Sequence, residues 1–174
     1  MSLQLCLKVI CILLLSSSAS WAEVAASADE WRQLKSKITR KFPSVAHIKP
    51  SQLSNDDMSK YIFIDVREPS EYALSHIQGA INLLDRDEIA ALARAYDSKT
   101  VLLYCSVGYR SSLMAQKLVE SGVLNVKNME GSIFEWVNDG NRVVSRGETT
   151  PFVHPFNPSW GRYLDSEHWA KDYD

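Results

Sequence analysis

Residues 101–112 read VLLYCSVGYRSS, and this stretch predicts a strand, a short loop and a helix in that order. Its first four residues are apolar without alternation, as in a strand of a parallel sheet that is covered on both faces. Cys105 stands at the end of this strand, and the loop after it contains Gly108. A helical pattern begins near Ser111. The stretch therefore places Cys105 where a buried strand meets a loop.

The rest of the chain repeats this order of strand and helix. Further strands are predicted at 45–48, 61–66, 80–83 and 125–128, and helices at 69–75, 86–96, 111–121 and 132–139. Apolar strands separated by helices favour a parallel sheet with helices on both faces, and right-handed crossovers then give an open α/β sandwich. Ligands bind beyond the carboxyl ends of the strands in such sheets, which points to Asp65 and Cys105.

The composition fits one folded domain with additional residues at its ends. The chain has 174 residues, of which 45% are hydrophobic and 23% charged, as in globular proteins. The formal net charge is only -2, and there is no long basic run. Because binding to nucleic acid needs clustered lysine and arginine side chains, we do not expect nucleic acid as a partner.

The first 22 residues have the pattern of a signal peptide. Lys8 supplies a positive charge, residues 9–15 are apolar, and Ser20 and Ala22 place small residues at the positions that a signal peptidase reads. We expect cleavage after Ala22 and export to the periplasm or an equivalent space, with no stable membrane insertion afterwards. An uncleaved membrane anchor is the alternative, but the apolar run is shorter than the about 20 residues that span a bilayer.

Export changes which cysteines remain in the mature protein. Cys6 and Cys11 lie in the predicted signal peptide, so the mature chain keeps only Cys105 and forms no internal disulfide. A lone cysteine in an exported protein is a buried inert residue, half of an intermolecular pair or a free reactive thiol. No second cysteine or histidine lies near enough in sequence to predict a zinc site, and we expect neither a metal nor a cofactor.

The two ends of the mature chain differ from its middle. Residues 23–44 are predicted to form an N-terminal helical extension, in which Ser27 and Glu30 make a capping box for a helix over 27–42. Residues 146–174 form a tail that is rich in proline and aromatic residues. Proline prevents a long helix there, and the aromatic residues argue against disorder. We expect an arm wrapped over the domain; an arm that binds a protein partner is the alternative.

The residues around Cys105 favour a reactive thiol over an inert one. A junction of strand, loop and helix directs successive backbone N–H groups into a concave nest and sets the cysteine against the positive end of a helix dipole. Both effects stabilise a thiolate, and Arg110 adds a positive charge nearby. The same nest can hold an anionic substrate or the terminal sulfur of a persulfide.

Several groups of residues, in this order along the chain, carry a family resemblance. They are Asp65-Val66-Arg67-Glu68, Glu71-Tyr72, His76-Ile77-Gln78-Gly79-Ala80-Ile81-Asn82, Cys105-Ser106-Val107-Gly108-Tyr109-Arg110, Glu130-Gly131-Ser132, Trp136 and Gly140. With them, the predicted domain at residues 45–145 resembles the rhodanese homology domain. The resemblance implies a rhodanese-like open sandwich, in which helices cover both faces of a five-stranded parallel sheet.

The resemblance also implies a sulfurtransferase. In that reaction the Cys105 thiolate attacks the outer sulfur of a donor such as thiosulfate, a Cys105 persulfide forms, and a thiophilic acceptor takes the sulfur. The donor and the acceptor are small molecules or proteins. Arg110 attracts the negative charge of the donor. The loop residues expected to bind the substrate are Ser106, Val107, Gly108, Tyr109 and Arg110.

Three polar side chains near the predicted site have alternative roles. Asp65 and Arg67 either orient the loop and tune its charge, or form an ion pair that fixes the turn after the strand. We name them as supporting residues and expect the ion pair. His76 either transfers protons or hydrogen-bonds a neighbouring turn, and the second role is the commoner one for a histidine in this setting.

Two other functions would use the same residues. Four residues separate Cys105 from Arg110, whereas the related phosphatases of this fold have five, so the loop length favours sulfur over phosphate or arsenate chemistry. A non-catalytic binding module that contacts a partner through the aromatic tail is the second alternative. Such a module has no need of an activated thiol, so the residues around Cys105 favour the enzyme.

Overall fold

The computed structural model describes residues 25–53 and 57–171. The predicted signal peptide, residues 1–22, lies outside this part of the chain, together with Cys6 and Cys11. Among the residues that are described, no helix is long and apolar enough to cross a membrane.

The fold is built on a five-stranded sheet in which every pairing is parallel. Its strands are β1 (His47–Ile48), β2 (Tyr61–Asp65), β3 (Ile81–Asn82), β4 (Thr100–Tyr104) and β5 (Val126–Met129). They lie in the spatial order β1-β5-β4-β2-β3, so β4 is the central strand. The five-stranded parallel sheet predicted from the sequence is confirmed, with each strand within two residues of its predicted bounds.

Helices connect the strands and cover the sheet. They are α1 (Ala28–Lys41), α2 (Pro50–Leu53), α3 (Pro69–Leu74), α4 (Arg86–Ala95), α5 (Tyr109–Glu120), α6 (Ser132–Asn138) and α7 (Pro158–Gly161), with 3-10 turns at Met58–Lys60 and Ser166–His168. Leu102 and Leu103 of β4 are both 0% exposed. Because successive residues of a strand point to opposite faces, both faces of the sheet are covered at its centre.

The carboxyl ends of β2 and β4 meet at one edge of the sheet. Asp65, the last residue of β2, is the register partner of Tyr104, the last residue of β4. The Val66 N–H continues the pairing by donating to the Tyr104 carbonyl. Since Cys105 follows Tyr104 directly, the edge that the sequence assigns to ligand binding is where the cysteine lies.

A small hairpin after α6 was not predicted. Its strands, β6 (Val143–Ser145) and β7 (Glu148–Thr150), pair antiparallel and are joined by Arg146 and Gly147. Both turn residues have positive φ, 50° and 86°, as a two-residue type I′ turn requires. An Arg-Gly pair is a weaker signal for this turn than Asn-Gly or Asp-Gly, which explains why the sequence did not indicate it.

The two ends of the described chain pack on the domain and on each other. The capping box at Ser27 and Glu30 is present, as predicted. Lys35 of α1 forms an ion pair with Glu135 of α6. Residues 151–171, called the C-terminal arm from here on, bury Val153, Leu164 and Ala170 against the domain.

Candidate active site

Cys105 lies in the turn between the buried strand β4 and helix α5, and its side chain is 1% exposed. Two donors approach its sulfur: the Gly108 N–H at 3.2 Å and the Ser111 hydroxyl at 3.5 Å. Both donors stabilise negative charge on the sulfur. The predicted loop amide is therefore in place, and the Ser111 hydroxyl is an additional donor that the sequence had not assigned to the site.

Gly108 gives the loop a shape that other residues resist. Its φ is +102°, in the region that L-amino acids with a side chain seldom occupy. A Cβ at this position would lie 3.4 Å from Nδ2 of Asn128 and 3.5 Å from the Met129 carbonyl oxygen. Glycine therefore allows the backbone to turn back and present its N–H to Cys105.

Hydrogen bonds from the start of α6 fix the backbone of the cysteine loop. The Cys105 N–H donates to Oγ of Ser132 at 3.1 Å, and the Ile133 and Phe134 N–H groups donate to the Cys105 and Ser106 carbonyls. Ser132 has a φ of +54°, which is uncommon for a residue with a Cβ. A strained turn thus fixes the backbone of the nucleophile, a role for Ser132 that the sequence did not indicate.

Arg110 is bound by a buried acid. Its Nη1 and Nη2 donate to the two carboxylate oxygens of Glu71 at 2.8 and 2.9 Å, and Nη2 also donates to Oγ of Ser106 at 3.0 Å. The Ser106 hydroxyl in turn donates to Glu71. Glu71 is 2% exposed and Arg110 is 30% exposed. This network connects Ser106 and Arg110, the second and last residues of the loop, and so fixes the loop between them.

Glu71 and Arg110 each shift the pKa of the other. Burial alone raises the pKa of Glu71, but the hydrogen bonds and positive charge of Arg110 outweigh it, and the pKa lies below its ordinary value. Burial alone lowers the pKa of Arg110, and its bonds to Glu71 raise it above the ordinary range. Glu71 is therefore a carboxylate at neutral pH and offsets the charge of Arg110.

Asp65 and Arg67 form a fully buried ion pair beside the loop. Nε and Nη2 of Arg67 bind the Asp65 carboxylate at 2.7 to 3.1 Å, and Nη2 also donates to the Ser75 carbonyl at 2.7 Å. The guanidinium lies over the ring of Tyr104. The two side chains thus form an ion pair, as expected, but the pair ties the end of β2 to the segment after α3, whereas the sequence had placed its role at the turn after the strand.

His76 has a local partner. Its ring stacks on Tyr72 with centroids 3.8 Å apart, and Nδ1 lies 2.9 Å from the Tyr72 carbonyl oxygen. The backbone of His76 also pairs with Val144 of β6. These contacts hold the end of α3 and the hairpin together, as in the hydrogen-bonding role that the sequence favoured.

A pocket of about 150 Å³ opens beside Cys105. Its lining combines the predicted loop with the C-terminal arm: Cys105, Ser106, Val107, Tyr109, Arg110, Phe156 and Trp160. A larger hollow of about 590 Å³ lies along α1, but none of the loop residues lines it. The smaller pocket is therefore the candidate active site. Within the described part of the chain, no group of three or more His, Cys, Asp or Glu side chains is arranged to hold a metal.

The fold and the site define a rhodanese-like domain, and comparison with known proteins agrees. The family model described as "Rhodanese-like domain" matches residues 50–139, more than half of the chain, and the chain belongs to this family. The crystal structure of a thiosulfate sulfurtransferase from Pseudomonas aeruginosa has the same fold, with a TM-score of 0.55 at 16% identity. The match covers 68% of this chain and 23% of that one.

Several curated relatives are named for sulfur transfer, among them the following two. The thiosulfate sulfurtransferase PspE of Escherichia coli is 38% identical over 71 residues, which is 40% of this chain and 68% of the relative. The adenylyltransferase and sulfurtransferase UBA4 of Lodderomyces elongisporus is 32% identical over 99 residues. That match covers 51% of this chain but only 22% of the larger relative. The family and these relatives support a sulfurtransferase-type enzyme.

Proposed function

We propose that this protein moves sulfane sulfur from a donor such as thiosulfate to a thiophilic acceptor through a persulfide on Cys105. The observation that carries the proposal is the setting of the thiol. Cys105 directly follows a buried strand, receives donors from Gly108 and Ser111, and lines a small pocket. A thiolate so placed is a nucleophile with donors ready for the sulfur that it gains.

The first half of the reaction forms the persulfide. The Cys105 thiolate attacks the outer sulfur of thiosulfate, a new S–S bond forms, and the S–S bond of thiosulfate breaks. Sulfite leaves with the electron pair of the broken bond. The Gly108 N–H stabilises the sulfur charge, and Arg110 at the pocket edge attracts the anionic donor.

The second half of the reaction returns the enzyme to its starting state. An acceptor nucleophile such as cyanide attacks the terminal sulfur of the persulfide, and a new bond from acceptor to sulfur forms. The S–S bond to Cys105 breaks, and the thiolate is released with its electron pair. No oxidant or reductant is consumed, so the cycle needs no redox cofactor.

The Arg110 network weighs against phosphate chemistry in this pocket. Both Nη atoms of Arg110 donate to Glu71, whereas a phosphoryl group is best bound by an arginine whose paired donors face the ligand. The short loop between Cys105 and Arg110 points the same way. Once sulfite has left, sulfur transfer needs only the persulfide sulfur to be stabilised, and the Gly108 N–H, which donates to Sγ of Cys105, lies beside it.

Intact-mass spectrometry of the purified protein tests the proposal. After incubation with thiosulfate we expect a gain of one sulfur atom, which is lost on adding cyanide and absent from Cys105→Ala. No gain in the wild-type protein, or a gain that persists in Cys105→Ala, would contradict the mechanism. Cys105-dependent hydrolysis of a phosphoester in place of persulfide formation would support phosphatase chemistry.

We also propose that the protein works outside the cytoplasm, in the periplasm or an equivalent space. The support is the signal-peptide pattern of residues 1–22. Cell fractionation with an antibody to the domain tests this. We expect a shortened chain that begins after Ala22 in the exported fraction, and a full-length chain in the cytoplasm would contradict it.

A further inference from the structure

The C-terminal arm forms one wall of the pocket at Cys105. Phe156 and Trp160 line this pocket together with the cysteine loop. Both residues lie beyond residue 139, where the match to the family model ends. The arm therefore adds to the site something that the matched segment does not contain.

The arm is fixed in this position by its own contacts. The Asn157 side chain caps α7 by accepting from the Trp160 N–H at 3.1 Å. Asn138 of α6 donates to the Tyr163 carbonyl and accepts from the Asp165 N–H. The Val153 side chain is fully buried. The wall thus belongs to the folded molecule.

Phe156, whose ring lines the site, has a strained backbone. Phe156 has a φ of +70°, which a bulky residue seldom adopts. The Asn157 N–H donates to the Pro155 carbonyl at 2.9 Å across it, a γ-turn of the strained kind. The ring lies 4.8 Å from the Arg110 guanidinium. Strain of this kind marks functional positions more often than ordinary loops.

A third aromatic residue lines the same pocket from the cysteine loop. Tyr109 lines the pocket, and its hydroxyl accepts from Nζ of Lys41 at 2.6 Å. The same Nζ lies 4.9 Å from the centre of the Tyr109 ring, and Phe42 packs against the ring edge. These contacts hold the Tyr109 ring in place where it lines the pocket.

The volume of the pocket sets how much of an acceptor fits inside it beside the sulfur. Sites for drug-sized ligands have volumes of about 300 to 1,000 Å³, and this pocket has about 150 Å³. An apolar cavity of roughly 150 Å³ holds a molecule the size of benzene. Thiosulfate, sulfite and cyanide are no larger than that, whereas a peptide thiol or a protein cysteine brings its backbone along.

We propose that Phe156 and Trp160 are specificity-determining residues that restrict the Cys105 persulfide to small inorganic acceptors and exclude peptide and protein thiols. The proposal rests on the sulfurtransferase function proposed above and names its acceptor class. Replacing the two side chains by alanine should open the pocket to larger thiols and leave the reaction with small acceptors unchanged.

A single-turnover experiment tests this directly. The persulfide is loaded with thiosulfate, excess donor is removed, and loss of the extra sulfur is followed by mass after adding cyanide or glutathione. The variants are Phe156→Ala with Trp160→Ala, and Phe156→Gly, which also removes the backbone strain. Phe152→Ala is the matched control, because Phe152 belongs to the same arm but lines a different hollow.

In the double variant we expect the rate with glutathione, relative to that with cyanide, to rise about tenfold or more, as pocket shape can discriminate. Phe156→Gly should show a smaller rise, and Phe152→Ala should match the wild type. Unchanged ratios in folded variants that form the persulfide would overturn the specificity proposal and leave sulfur transfer intact. Loss of loading in the variants alone would also overturn it. Absence of the persulfide from every protein, wild type included, would instead overturn the proposed function.

Discussion

The charge of Arg110 is shared between the pocket and a buried acid. Arg110 binds Glu71 through both terminal nitrogens, while part of its side chain remains exposed at the pocket. Glu71 is nearly inaccessible to water, so it depends on Arg110 and on the Ser106 hydroxyl to compensate its charge. The pair therefore fixes the loop as well as setting its charge, whereas the sequence had named Arg110 only for attracting and binding the substrate.

Glu71→Gln should destabilise the protein. The substitution leaves Arg110 without a charged partner, and we expect the free energy of unfolding to fall by about 2 to 3 kcal/mol, less than for a pair that is buried on both sides. Urea unfolding at pH 7 measures the change. Glu148→Gln is the control, because Glu148 is exposed in the hairpin. Equal stabilities for the two variants would contradict the buried network.

The same residue should shape the stability of the protein in acid. Burial raises the pKa of Glu71, but the lowering by Arg110 is larger. The pKa therefore lies below the ordinary value of 4.5. A carboxyl group with a lowered pKa in the folded state stabilises the fold above its ordinary pKa and loses that effect as pH falls through the folded value.

We therefore expect the stability difference between wild type and Glu71→Gln to be constant near neutral pH and to shrink below about pH 4.5. Urea unfolding across this range provides the measurement. A difference that stayed constant into strong acid would show that the ionised form of Glu71 contributes nothing to the fold.

Ser132 combines a strained backbone with a hydrogen bond to the nucleophile. Its hydroxyl accepts from the Cys105 N–H and donates to the Met129 carbonyl, while its φ is +54°. Ser132→Ala keeps the strain and leaves a buried N–H unpaired, which costs about 1 to 3 kcal/mol. Ser132→Gly loses the same bond but relieves the strain, so it should be more stable than Ser132→Ala by roughly 1 kcal/mol.

Unfolding and persulfide formation together test this assignment. Both Ser132 variants should load sulfur more slowly than the wild type, because the backbone of Cys105 is no longer held in place. If Ser132→Ala proved as stable as Ser132→Gly, the left-handed backbone would carry no strain. If both loaded sulfur at the wild-type rate, the hydrogen bond would have no positioning role.

The helices and strands of the sheet could be predicted because their patterns are local. Each buried strand is a short run of apolar residues, and along each helix the apolar residues recur at helical spacing. The hairpin of β6 and β7 lacks such a signal, since its turn uses Arg146 and Gly147. The arm has no period at all: its contacts come from capping and from isolated buried side chains, which a sequence pattern does not reveal.

The site divides in the same way between local and distant parts. The loop of residues 105–110 is contiguous, so its residue types alone indicated a nucleophile in a nest of N–H groups. Glu71 is 39 residues from Arg110, and Ser132 is 27 residues from Cys105. The arm residues at the pocket lie further on. Only the order of strands in the sheet and the course of the arm bring these side chains to the loop.

Gly108 connects the strand and helix elements of the site, and Gly108→Ala tests that connection. The new Cβ would sit at a φ of +102°, in ordinary van der Waals contact with Asn128 and Met129. We expect a loss of about 1 to 2 kcal/mol in stability and a clear slowing of persulfide formation, because the N–H that faces Cys105 moves.

Gly79→Ala is the matched control for Gly108→Ala. Gly79 has a φ of +79° with open space around it, so its substitution carries the backbone strain alone. It should lower stability by about 1 kcal/mol and leave the rate of persulfide formation unchanged. If both variants loaded sulfur equally slowly, general destabilisation would account for the effect of Gly108→Ala.

At the scale of the described chain, residues near its two ends contact each other. The Ala26 N–H donates to the Arg162 carbonyl, and the Arg162 guanidinium pairs with Glu30. The rings of Trp31 and Tyr163 lie 5.1 Å apart. Helix α1 and the C-terminal arm therefore brace each other on one side of the sheet, and the position of the arm at Cys105 depends on its docking there.

Leu164 is the residue through which that docking can be measured. Its side chain is 1% exposed and packs in the main core, and its carbonyl accepts from Nε1 of Trp169. Leu164→Ala removes buried apolar volume and should lower the free energy of unfolding by about 2 to 4 kcal/mol. Phe152→Ala, at a position that is 44% exposed, should lower it by much less.

The accessibility of Cys105 separates local from global effects of Leu164→Ala. In the wild type Cys105 is 1% exposed and the arm lines the small pocket beside it, so we expect a bulky alkylating reagent to react faster when the arm opens. A weakened arm opens more often than the domain unfolds, so alkylation of Leu164→Ala under native conditions should be faster by more than global unfolding allows. Alkylation that simply tracked global unfolding in both proteins would mean that arm and domain open as one unit. The arm would then leave the pocket only when the sheet unfolds as well.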